Sequence, residues 1–153
     1  MEEKTLKRVV IISLILIIAI VTYTFTHESN DKNTFSGEYF SFKIPEGMEI
    51  TNHALNLTGA CREIVLLRKD DEYTISVAVF DNISLEDLEA NNTGIFYKRS
   101  TVGEVTCDTY YNPDTKTTFY YFEMNGKVFL VTFSPIHGTY DAEDIIKSLE
   151  LKK

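Results

Sequence analysis

The apolar positions of this chain fall into three patterns: one unbroken run, several alternating segments, and two stretches with helical spacing. The run is residues 9–25, VVIISLILIIAIVTYTF, which carries no charge. Lys4, Lys7 and Arg8 precede it and the polar HESNDKN follows. At about 1.5 Å per residue a helix of this length spans roughly 25 Å, slightly less than the ~30 Å hydrocarbon core of a bilayer. Tilt and the interfacial Tyr23 and Phe25 cover the difference. The flank Val-Thr-Tyr-Thr-Phe-Thr lacks the small residues that a signal-peptide cleavage site needs. The reading is a signal-anchor, with residues 1–8 cytoplasmic and the C-terminal part outside the membrane. If the segment is cleaved, the remainder is secreted.

Beyond a polar linker at 26–36, alternation predicts strands. Tyr39 to Ile44 places Phe40, Phe42 and Ile44 on one side and ends at Pro45, and Met48 and Ile50 suggest a short second strand. Arg62 to Arg68 and Tyr73 to Phe80 form a predicted hairpin across Lys69-Asp70-Asp71-Glu72. Ser84-Leu-Glu-Asp has the form of a capping box and starts a short helix through Leu85 and Leu88. Val102 to Tyr111 reads as a single strand turning at Asn112-Pro113-Asp114.

The strongest local signal is Thr117 to Met124, Asn125-Gly126, Lys127 to Ser134. Asn-Gly supplies the two positive-φ positions of a type I′ turn, and that turn sets the register. Phe122 then faces Phe129, Tyr120 faces Val131 and Thr118 faces Phe133, while Tyr121 opposes Leu130 and Phe119 opposes Thr132. Both faces of this hairpin are apolar or aromatic, so each needs a cover or serves as a contact surface. A helix from Asp141 with Ala142, Ile145, Ile146 and Leu149 on one stripe is the expected cover of the Tyr121 face. Tyr120, Tyr121 and Leu130 are the candidate interaction surface if that face is open. The fold class is α+β: an antiparallel sheet with a short mid-chain helix and a C-terminal helix packed on it.

Two segments carry a resemblance. Tyr39-Phe-Ser-Phe-Lys-Ile-Pro-Glu-Gly-Met-Glu-Ile is similar to the aromatic strand, Pro-x-Gly turn and short strand that open PsbP-like domains. Asn125-Gly-Lys-Val-Phe-Leu-Val-Thr-Phe-Ser-Pro, followed by Asp141 to Leu151, resembles their ending. The resemblance covers residues 37–152 and implies an α/β/α sandwich of the PsbP/Mog1 type, found also in small exported proteins with one N-terminal hydrophobic segment. Met48 stands where such domains often carry Trp. No catalytic motif is implied.

Charge and chemistry narrow the picture. Residues 1–26 hold three of the 15 basic and two of the 23 acidic residues, so the remainder carries a net charge of −9. That surface disfavours nucleic acid and suits a basic partner or solubility alone. Cys61 and Cys107 form a candidate disulfide in an exported domain, and two unpaired buried thiols are the alternative. Asn56, Asn82 and Asn91 head three glycosylation sequons. His27, His53 and His137 lack the companions of a catalytic triad, and no metal-ligand spacing or phosphate loop is present. Asp70-Asp71-Glu72 reads as a solvated hairpin tip in preference to a cation site. The expectation is a membrane-anchored, non-catalytic domain without cofactor or metal that binds a protein or envelope component. A small-ligand or metal-binding receptor is the first alternative, and a hydrolase or transferase the second.

Overall fold

The computed structural model describes residues 33–57, 59–134 and 139–153. The predicted anchor at 9–25, most of the linker, His27 and His137 lie outside the described residues. Among the described residues ten strands and two helices follow one another. β1 (Thr34–Ser36), β2 (Phe40–Lys43), β3 (Glu49–Leu55), β4 (Cys61–Lys69) and β5 (Tyr73–Phe80) lead to α1 (Leu85–Glu89). Then come β6 (Ile95–Val102), β7 (Val105–Asn112), β8 (Thr117–Met124), β9 (Lys127–Ser134), α2 (Thr139–Ser148) and β10 (Glu150–Leu151). No helix among the described residues is long and apolar enough to cross a membrane.

Seven strands form one antiparallel sheet in the order β3-β4-β5-β9-β8-β7-β6, and β1-β2-β10 form a small second sheet. The expected hairpin register is present in full: Phe122 pairs with Phe129, Tyr120 with Val131, Thr118 with Phe133 and Tyr121 with Leu130. Asn125 and Gly126 both take positive φ, as a type I′ turn requires. Both edge strands are bulged, β3 at Thr51 and β6 at Tyr97, which twists their open edges away from strand pairing.

Register gives the sheet two distinct ends. Glu49 lies beside Arg68, Thr74 beside Ser134, Asn112 beside Thr117 and Ile95 beside Tyr111, so all four pairs mark one end. The described chain also begins there, because the Asn33 carbonyl accepts from Ile44 N just before the Pro45–Gly47 turn, and Gly47 lies against Lys69. This end is termed proximal. The Asn125-Gly126 turn, the Gly103-Glu104 turn and Leu55 mark the opposite, distal end.

Each face of the sheet has its own cover. Phe122, Phe129, Val131, Phe133 and Tyr120 pack under Ala142, Ile145, Ile146 and Leu149 of α2 and under Phe35, Phe40 and Phe42 of the small sheet. On the other face Tyr121, Val128, Ala78, Phe80, Ile64 and Cys61 pack with Leu88 of α1, with Tyr110, Phe119 and Leu130 half-buried around them. The C-terminal helix therefore covers the face opposite Tyr121, not the Tyr121 face itself. The apolar stripe of α2 covers the phenyl rings on its face, and Glu143 of the same helix accepts from the Tyr120 hydroxyl. Buried tyrosines need a polar partner for each hydroxyl, and Asn92 beside α1 supplies one to Tyr121 at 2.5 Å.

Three boundaries differ from the pattern-based expectation. The end of the predicted linker forms β1, because Phe35 is buried against Phe40, Phe42 and the His53 ring. The single strand expected over 102–111 is two strands meeting at Gly103, whose φ is +62°. β6 shows no alternation because it is an exposed edge; only Val102 is buried. The short strand expected at Met48 and Ile50 extends to Leu55 as the other edge.

Candidate functional site

A partly open cleft of ≈ 560 Å³ sits at the distal end on the α1 side of the sheet. Its walls come from Leu85 at the start of α1, Arg99 on β6, Asp108 on β7, Glu104 in the β6–β7 turn, and Glu123 and Asn125 at the β8–β9 turn. Ser84 holds the helix in place: its hydroxyl accepts from Asp87 N at 3.1 Å, the cap expected from the sequence. Glu104 and Glu123 are exposed, and neither has an ion-pair partner among the described residues. Among the described residues no Ser, Cys or His lines the cleft.

Arg99 and Asp108 form an ion pair in the cleft wall, and Glu89, outside the lining, adjoins Asp108. Arg99 donates from Nε to Asp108 Oδ1 at 2.6 Å and from a terminal nitrogen to Oδ2 at 2.7 Å, a bidentate fork on a buried carboxylate. That guanidinium holds the Asp108 carboxyl below its usual range. Glu89, the last residue of α1, responds in the opposite direction. Burial first, then its hydrogen bond and charge repulsion with Asp108, raise its carboxyl to about 7. Glu89 Oε1 is buried with no donor among the described residues. A proton on Glu89 removes that deficit by bonding the carboxyl to Asp108. Arg99 is already matched by Asp108, so Glu104 and Glu123 leave the cleft acidic.

A second polar cluster lies under the small sheet. Glu63, fully buried, accepts from Glu38 N at 2.9 Å, Tyr39 N at 2.7 Å and His53 Nε2 at 2.7 Å. A Cβ at Gly37 would collide with the Glu63 carboxylate, so the β1–β2 turn closes directly onto it. Two of its three bonds go to backbone amides, which makes it a clasp between the small sheet and β4. Among the described residues no hydroxyl or thiol hydrogen-bonds to His53.

The structure scatters the residues singled out from the sequence. Tyr120 and Tyr121 are 2 % and 3 % exposed and lie on opposite faces of the sheet, and Leu130 is half-buried. They are core, not contact surface: Tyr120 packs on Phe133 and donates to Glu143 at 3.1 Å, and burial raises the Tyr121 hydroxyl to about 12. Cys61 and Cys107 are free, buried thiols in different clusters. Their strands, β4 and β7, are separated by β5, β9 and β8, about 19 Å at the usual strand spacing, and disulfide geometry allows no more than ~7 Å. The disulfide expectation is thus replaced by its alternative. Burial lifts both thiols to about 12, which keeps them protonated and unreactive. Asn56 and Asn82 are exposed in turns at positive φ, and Asn91 is half-buried with Nδ2 donating to the Asp87 carbonyl at 2.8 Å.

Sequence reasoning missed Arg99, Asp108, Glu89 and Glu63. Each is an isolated charged letter in its segment, and only sheet order brings it to its partner. An acid in the middle of an alternating strand, as at Glu63 and Asp108, was the one available signal.

No family model and no curated protein matches the chain. Its fold is similar to that of a crystallographically solved protein from Bacteroides thetaiotaomicron VPI-5482, with a TM-score of 0.55 and 16% identity over 79% of this chain. The chain spans 48% of that protein's length. At this identity the likeness is one of fold.

Proposed function

We propose that this chain is a membrane-anchored, extracytoplasmic, non-catalytic domain of PsbP-like type that presents its distal cleft to a basic segment of a partner protein or a cationic envelope component. The observation that carries this reading is the electrostatic state of the cleft. Its one guanidinium is consumed by Asp108, and Glu104 and Glu123 are exposed around it with no ion-pair partner among the described residues. Carboxylates held in a concavity focus a field that attracts cations. The α/β/α reading of the fold, with α1 and α2 on opposite faces of the sheet, accords with the PsbP resemblance.

The test is recovery of the full chain from solubilised membranes, as wild type and as the double variant Glu104→Lys/Glu123→Lys. The wild type should retain a partner in a salt-sensitive manner, and the variant should lose it. Recovery of the wild-type protein alone refutes the reading. The cleft volume also falls within the range of small-molecule sites, which keeps a cationic small ligand as the second reading. A rise in Tm with polyamines, abolished in the same variant, would favour it.

A further inference from the structure

Among the described residues, five of the six exposed large hydrophobic side chains sit at one end of the domain. Ile95, Phe96 and Tyr97 are 69 %, 53 % and 70 % exposed at the start of β6. Ile50 stands next to Glu49, the proximal end of β3, and only Leu55 lies at the distal end. Tyr140, 80 % exposed, adjoins Asp141, which meets Tyr73 and lies 3.8 Å from Lys69 at the proximal turn. The same end carries Asn33, where the described chain begins. The charges there have both signs, with Asp70, Asp71 and Glu72 beside Lys69 at the β4–β5 turn and with Lys98 and Lys116 toward the β6 side.

From these placements we infer that the proximal end rests on the lipid surface, with Tyr97, Phe96, Ile95 and Tyr140 seated in the headgroup region. This rests on the proposal that residues 9–25 are a membrane anchor, and it adds an orientation that the anchor alone does not supply. Seven residues, 26–32, separate the run from Asn33, so the proximal end can stand no more than about 25 Å from the bilayer. A tether that short gives an effective concentration in the millimolar range, so even weak interfacial affinity keeps the domain docked. Aromatic rings with a polar tip or flanking lysine are the side chains that partition to this interface, and the Lys98 ammonium lies 5.6 Å from the Tyr97 ring. The bulge at Tyr97 turns the β6 backbone away from strand addition, so the side chains, not the open edge, form the contact. Docking in this pose points the acidic cleft away from the membrane.

The chain contains no tryptophan, so a single substitution introduces a unique fluorophore. Full-length Tyr97→Trp and, as the distal control, Leu55→Trp are reconstituted into vesicles of phosphatidylcholine brominated on the acyl chains. Flotation of the vesicles first reports whether the chain is anchored. In floated protein, Tyr97→Trp should be blue-shifted and quenched at least severalfold more than Leu55→Trp. Equal quenching at the two positions, or none at Tyr97→Trp in floated protein, overturns the docking pose while leaving the anchor reading intact. Failure to float overturns both. Loss of lipid quenching with cross-linking of Tyr97→Trp to a second copy would assign the patch to self-association and refute the lipid contact.

Discussion

Removing the Glu63 carboxylate should loosen the small sheet from the large one. In Glu63→Ala, the amides of Glu38 and Tyr39 and the Nε2 of His53 lose an acceptor that is itself fully buried, at a part-buried site. A buried donor left without a partner costs about 1–3 kcal/mol, and breaking a buried charged network costs about 3–5 kcal/mol. The three losses share one site and do not add fully, so the expected destabilisation is about 3–5 kcal/mol. Glu63→Gln keeps the volume and one acceptor oxygen, but turns an NH2 toward one of the three donors, and should cost about 1–3 kcal/mol. Urea unfolding followed by far-ultraviolet circular dichroism measures both. With an m-value of about 1–3 kcal/mol/M for a domain of this size, the Ala variant should lose roughly 1 M or more in midpoint at unchanged m. Amide exchange supplies the local readout, because Glu38 and Tyr39 should lose protection ahead of the β8–β9 hairpin. A Glu63→Ala midpoint within error of wild type, with both amides still protected, would refute the clasp.

Other outcomes follow from the same structure. Glu89 is held at about 7 when folded against an ordinary 4.5, so the folded state binds the extra proton between those values and stability falls as pH rises through that window. Solvent screening at this half-exposed group leaves about 1–2 kcal/mol, and Glu89→Gln should flatten the slope; an unchanged slope refutes the assignment. Asp108, held low by Arg99, acts at lower pH, where its contribution is lost as pH falls through its folded value. The thiols of Cys61 and Cys107 should react with a disulfide reagent only on unfolding, and reductant should leave Tm unchanged; a drop in Tm on reduction would restore the disulfide. Tyr73→Phe removes the hydroxyl that meets Asp141 at the start of α2 and should cost about 1 kcal/mol, read as a lower midpoint with faster exchange in α2.

What the sequence determined alone was local. Asn125-Gly126 set the β8–β9 register because two positive-φ residues in a two-residue loop leave one pairing. The Ser84 cap and the Ala142, Ile145, Ile146 stripe were legible because their partners lie within four residues. Ile95–Val102 was not legible as a strand, since an exposed edge has no buried face to impose alternation. The face taken by α2, the separation of Cys61 from Cys107, the Arg99–Asp108–Glu89 cluster and the Glu63 clasp required the tertiary structure. Each joins segments brought together by strand order, not by chain distance: Glu63 meets Tyr39 across 24 residues and Arg99 meets Asp108 through the pairing of β6 with β7. A side chain's letter fixes its chemistry, but the sheet order decides which charges share a site and which end of the domain is left apolar.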